Sequence, residues 1–380
     1  MNTRRIIIIS LIILIVAFGG FLVYFLLQDQ DDEAPKPTAG RPGFPSFPGG
    51  GPSGQPTPLL TTPGNRVSKI GSFPALGATI GPDQKRVRFF DRDTGNLYEA
   101  NFDGTELTKI SDSSLAEGVV DVVWSPLKDY FVALFEDQSK NFIYNFRSGL
   151  SVDLRQNLVA AAFSPQNNRL AYQNFLTNES SLILVNLDGS RPQTIFSAAL
   201  PKTRLAWVQT NKLAVNPAPS GRAQGSVITI NPSNGSLGQI LAGKYGLVTN
   251  WSPNGRLVIY STTDQFGHEL SLWLADENGV SIKQLEINTL ADKCVWSQDN
   301  RIVYCAAPSS WPNDLTLPDD YYKGVVAVSD SFVSLNTETS LPSFILELTD
   351  SDAQSLIITP QEDYLLFINR KDGFLYSIRL

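Results

Sequence analysis

The strongest constraint on this chain is a unit that returns at a nearly fixed interval. An apolar strand ends in a bulky residue, Ser-Pro or a close variant follows, and a polar turn leads into a second apolar strand. The unit occurs at Ile80-Gly81-Pro82, Trp124-Ser125-Pro126, Phe163-Ser164-Pro165, Trp207-Val208-Gln209, Trp251-Ser252-Pro253, Trp296-Ser297-Gln298 and Ile358-Thr359-Pro360, with spacings of 44, 39, 44, 44, 45 and 62 residues. Self-similarity at such a period marks a repeat architecture, in which a small sheet with two apolar faces buries them only against its neighbours. From residue 67 onward, short runs of Val, Ile, Leu, Phe, Tyr and Trp are broken by Asn, Asp, Gly, Ser and Pro. That pattern predicts many short strands and almost no helix.

Seven units of about four strands each predict an all-β fold, a seven-bladed β-propeller over residues 66–380. The stretches FSPQNNRLAY (163–172) and WSPNGRLVIYS (251–261) resemble the WD40-like repeats of TolB-type propellers and the propeller of the dipeptidyl-peptidase IV class. The resemblance covers about residues 67–380. It implies the fold and little about activity, and no hydrolase domain is expected beyond Leu380. The final repeat supplies only three strands, and RVSKIG (66–71) precedes the first unit as ELTKIS (106–111) precedes the second. The N-terminal segment is therefore expected to complete the last blade, closing the ring without two free sheet edges.

Ahead of the repeats, Ile6–Leu27 holds 22 residues without a charge, long enough for a membrane-spanning helix. Arg4 and Arg5 precede it. The positive-inside rule then predicts a single-pass anchor with residues 1–5 cytoplasmic and the rest outside. Residues 28–65, rich in Pro and Gly, read as a disordered linker. Beyond the anchor, 28 basic residues face 37 acidic ones, which argues against nucleic acid as a partner.

Candidate chemistry is sparse. The single histidine, His268, lies in a polar loop, and no Gly-x-Ser-x-Gly is present, so neither a histidine-rich metal site nor a serine hydrolase is expected. Asp91-Arg92-Asp93-Thr94-Gly95-Asn96 lacks the spacing of a calcium loop and reads as a hairpin turn. Asp319-Asp320 reads as a solvated pair. With no catalytic, cofactor or metal residues assigned, the sequence points away from an enzyme. It points toward a module that binds a protein or glycan of the cell envelope, the alternative being a propeller-class lyase or glycosidase with its site at the axis or top face.

Two features remain. Between Cys305 and Ser331 the sixth unit gains about 20 residues, on the face where one blade passes to the next. Trp311, Tyr321 and Tyr322 in it are candidates for a binding surface or for a cover folded back on the ring. A hairpin centred between Asp299 and Asn300 sets Cys294 opposite Cys305, within reach of a disulfide, with buried free thiols as the other reading.

Overall fold

The computed structural model describes residues 66–380, apart from 112, 113, 116, 137–139, 156, 177 and 178. The anchor expected over Ile6–Leu27 and the linker over 28–65 lie outside the described residues. Among the described residues no helix is long and apolar enough to cross a membrane. The assignment to a membrane therefore stands corrected, because nothing described supports it.

The regular structure of the described residues is almost wholly β, in five four-stranded antiparallel sheets and one seven-stranded sheet. The first strands of the sheets (Ala75–Ile80, Val119–Trp124, Leu158–Phe163, Thr203–Gln209, Cys294–Trp296 and Ala353–Ile358) run in sequence around a common axis. Neighbours along the ring touch, Ala75–Ile80 with Val119–Trp124 and Leu158–Phe163 with Thr203–Gln209 for example, and Ala353–Ile358 returns to Ala75–Ile80. In the seven-stranded sheet the long strand Leu237–Trp251 does double duty. Its residues Leu237 to Tyr245 pair with Gln224–Ile230, and Tyr245 to Trp251 pair with Leu257–Thr263. The core lies between sheets: Ala171, Leu184 and Leu213, for example, are fully buried where two sheets meet.

The recurring Ser-Pro has a local cause that its spacing does not reveal. The hydroxyls of Ser125, Ser164, Ser252, Ser297 and Thr359 accept the backbone N–H five residues on, at 2.9–3.1 Å. All five residues are buried. Each hydroxyl also donates to an Asp or Asn in the same turn. A buried turn with an unpaired N–H would cost about 1–3 kcal/mol, so the hydroxyl is what makes the turn tolerable. The bulky residue before it packs between sheets. The indoles of Trp124 and Trp296 donate to the carbonyls of Gly77 and Asn250 on the preceding first strand, at 2.6 and 3.2 Å. Gly255 completes the Asn254-Gly255 turn at φ +68°, where a Cβ would collide with the Val208 carbonyl; no side chain fits there.

Ring closure follows the expected pairing. Val67–Ile70 lies antiparallel to Leu375–Arg379, with Val67 opposite Ile378 and Ile70 opposite Leu375. The expected disulfide is also present: Cys294 pairs with Cys305 across the hairpin, Cα atoms 4.0 Å apart. Replacing both cysteines by alanine is expected to lower stability by roughly 2–3 kcal/mol through restored freedom of the unfolded loop. Guanidinium unfolding, compared with the wild type under reducing and oxidising conditions, measures this. Equal midpoints for all samples would show that the bond contributes nothing.

Candidate functional site

The insertion between Ile302–Pro308 and Asp330–Asn336 folds back on the ring. Leu315, Leu317, Tyr321 and Val328 are buried in the same core as Leu290 and Trp296. The acids read as a solvated pair instead fasten the segment. Asp319 accepts the Gly221 N–H at 2.6 Å and Asp320 accepts the Thr316 N–H at 2.8 Å. A short helix over Asp319–Tyr322 then points its two tyrosines in different directions.

Tyr321 points inward and is 3% exposed, so as a surface candidate it is corrected: its ring is held in a buried charge network. The Lys293 ammonium donates to Tyr321 Oη at 3.0 Å, to Asp330 Oδ2, Asp352 Oδ1 and the Ala353 carbonyl at 2.9 Å each. Tyr321 donates to Asp352 at 2.7 Å, and Arg370 stacks 4.0 Å from the Tyr321 ring centre while pairing with Asp352 at 3.1 Å. Burial opposes every charge here. For Lys293, the surrounding Tyr321, Asp330 and Asp352 outweigh it and hold the pKa above the ordinary lysine value. Burial pushes the Tyr321 phenol up to about 12. Trp311 is half-buried, edge-on to Tyr321, its indole donating to the Asn288 carbonyl at 3.0 Å.

Tyr322 points toward Arg204 and Asp292 instead. Its hydroxyl donates to Asp292 Oδ2 at 2.6 Å, and the same oxygen accepts Arg204 Nη1 at 2.9 Å. The guanidinium carbon of Arg204 sits 4.7 Å from the Tyr322 ring centre. The pair reaches solvent: the Arg204 side chain is 48% exposed and that of Asp292 31%. Asp292 Oδ1 is buried with no hydrogen-bond partner. Burial pushes the Tyr322 phenol well above its ordinary value, with Asp292 adding to the effect. A phenol that stays protonated acts on Arg204 through its ring and dipole, which leaves Asp292 as the charge partner. Burial works against the Arg204 charge, but its partners win and its pKa lies above the ordinary value.

Around these residues is a cavity of about 400 Å³, walled by Asn216, Thr249, Asn250 and Trp251 among others, and a second of about 570 Å³ that adds Lys202, Tyr322 and Lys323. Asn216 is held by Thr249 at 2.9 Å, and Asn250 by the Ala291 and Cys294 carbonyls at 3.1 and 2.6 Å. Asp121 on Val119–Trp124 is open to water yet surrounded by protein. That desolvation pushes its carboxyl up, and the Arg204 charge offsets part of the rise. Arg204, Asp121 and Asp292 all lie near the starts of first strands, at the face that carries the insertion. Arg204 and Asp292 thus line a half-open cavity, and Asp121 lies close enough to feel the Arg204 charge. Such a set can neutralise an incoming anion and exchange protons with it. Of this set, sequence reasoning named only Tyr322; nothing local distinguishes Arg204, Asp292 or Asp121 from other polar residues of the repeats.

No protein-family model matches the chain, and no curated protein matches it. Solved structures do. An oligogalacturonate lyase from Vibrio parahaemolyticus superposes with a TM-score of 0.60 at 12% identity, over 82% of this chain and 93% of that one. The fold is a β-propeller. A second oligogalacturonate lyase structure, in complex with manganese, gives this propeller a TM-score of 0.61 at 12% identity, over 83% of this chain and 90% of that one. The Swd1 β-propeller domain of Myceliophteria thermophila gives 0.53 at 12% identity, over 83% and 99%. The propeller thus has the neighbours that its WD40- and TolB-like repeats imply.

The lyases overturn the expectation that the chain is no enzyme. A propeller of this extent houses lyases, and a missing short motif excludes nothing when polar residues converge from distant repeats. Manganese does not fit this propeller's mouth. Among the described residues no three His, Cys, Asp or Glu side chains gather to hold a metal. Arg204 holds the mouth with a positive charge, and His268 is exposed in the turn closed by Asp264.

Proposed function

We propose that this chain is a propeller-class enzyme, of lyase or glycosidase kind, acting on an acidic oligosaccharide at the axial mouth. The observation that carries the reading is Arg204 at the wall of a half-open cavity, in contact with Asp292 and electrostatically coupled to Asp121. A sugar carboxylate entering there meets the Arg204 guanidinium, the group best shaped to grip it with paired hydrogen bonds. Neutralising that carboxylate makes the adjacent C–H more acidic, the condition for an elimination. Asp121, less acidic than an ordinary carboxyl, is the stronger base and the better proton donor of the pair. Asp292, steadied by Tyr322, keeps Arg204 aimed. The fold likeness to oligogalacturonate lyases supports the substrate class. The reading takes residues 66–380 as one domain of seven blades, with Leu237–Trp251 shared between the fourth and fifth.

Incubating the chain with oligogalacturonate and with a neutral oligosaccharide of equal length tests this. Cleavage of the acidic substrate alone is expected. Ultraviolet absorbance from a new conjugated double bond signals elimination, and new reducing ends without it signal hydrolysis. Arg204→Gln and Asp121→Asn are each expected to lower turnover about 100-fold or more, the usual scale for losing a preorganised charge or a general acid or base. Absence of both turnover and binding across acidic oligosaccharides would sink the reading.

A further inference from the structure

The other end of the axis carries a different site. The first strands end there in Ser-Pro turns or their variants, and residues of five of these turns line a cavity of about 950 Å³. Its walls include Ile80, Pro126, Trp251, Trp296 and Ile358, so the repeat motif itself supplies apolar side chains to a lining that also holds Gln84, Asn250 and Gln298. Lys128 is the one charged residue in that lining. It is half-buried, at φ +60° in the turn after Trp124, and its carbonyl accepts Arg88 Nη1 at 3.3 Å. Among the described residues no carboxylate pairs with its ammonium. The nearby acids are engaged elsewhere, Glu99 with Arg88 at 2.6 Å and Asp129 with Ser125, Asn167 and Arg147. Burial accordingly pushes the Lys128 ammonium below its ordinary pKa.

A lone, half-buried cation at a cavity walled in part by apolar side chains lacks its counter-charge, and desolvated cations gain most from an anion brought to them. From this geometry we propose that the cavity is a second binding site, for a ligand with an apolar body ending in a carboxylate that pairs with Lys128. The body would rest on Trp251, Trp296 and the surrounding prolines and isoleucines. The carboxylate would stay at the rim, where the turn exposes the amine. The acidic-sugar site lies toward the opposite mouth; the two cavities share Asn250 and Trp251 in their walls but no charged residue.

Calorimetry on the full chain, with tryptophan fluorescence as a second readout, tests the proposal. The probes are decanoate against decanol and decylamine, and a trileucine peptide with a free against an amidated C-terminus. At least one carboxylate is expected to bind about tenfold tighter than its neutral counterpart, the scale of one charge-assisted pair. Binding of decanoate alone assigns a fatty acid, and binding of the free peptide alone assigns a C-terminal tail. Lys128→Met is expected to lose about tenfold in affinity while Lys128→Arg retains it; circular dichroism and the arginine variant separate lost binding from lost folding. Failure of both carboxylates, equal binding of decylamine, or a methionine variant that binds as well as the wild type would overturn the proposal.

Discussion

Lys293→Met is expected to destabilise the propeller by about 3–5 kcal/mol, the range for leaving a buried ion pair with one partner missing. Lys293 is 1% exposed, and Asp330 and Asp352 are fully buried. Methionine matches the length of the lysine stem, so the loss reflects charge more than volume. Two carboxylates would remain without their shared cation, Asp352 retaining Arg370 at 3.1 Å and Asp330 retaining only the Ala353 N–H at 2.6 Å. Adding Asp330→Asn to Lys293→Met should recover part of the loss. Guanidinium unfolding measures both; a loss under ~1 kcal/mol would mean that the network contributes little to stability.

The pH dependence of that variant carries its own sign. Burial pushes the Asp352 carboxyl up, but Lys293 and its hydrogen bonds outweigh this and its pKa is lowered. Its stabilisation is present above the ordinary carboxylate range, about pH 4, and fades as pH falls through the lowered value. Asp330 goes the other way: burial outweighs Lys293 and raises its pKa. Its contribution is therefore present at low pH and diminishes as pH rises through the raised value. Without Lys293 both acids favour protonation. The methionine variant should thus recover stability relative to wild type as pH is lowered from neutral toward about 5. A deficit that stays constant over that window would contradict the assignment.

The second large effect is expected at the ring closure. A chain trimmed through Ile70 should lose ~3 kcal/mol or more relative to one trimmed through Asn65. Deleting a fully buried isoleucine side chain alone typically costs about 2–5 kcal/mol. Ile70 is fully buried among Phe89, Phe102 and Leu375. The same cut bares the edge of Leu375–Arg379 and removes the Arg66 bonds to the Arg379 and Ile345 carbonyls at 3.0 and 3.2 Å. Thermal unfolding of the two truncations tests this; coincident transitions would show that the strand is dispensable.

The parts of this protein legible in its sequence are those set by local rules. The period of the Trp-Ser-Pro unit foretold the sheets, because each repeat must contain its own strands and turns. The Cys294–Cys305 bond was readable because hairpin pairing is fixed by where the turn sits. The closure by Val67–Ile70 was readable because one repeat lacked a strand and one strand lacked a repeat. The outward or inward aim of adjacent Tyr321 and Tyr322 was not readable. It depends on which neighbours fold back to meet the Asp319–Tyr322 helix: Lys293 and Arg370 on one side, Arg204 and Asp292 on the other. Arg204 and Asp292 stand 88 positions apart, and Lys293 and Asp352 stand 59 apart. Each is an ordinary polar residue until closing the ring desolvates it. Burial and charge proximity exist only between repeats, so the tertiary structure alone decided which of the many Asp, Arg and Lys residues gather at the axis.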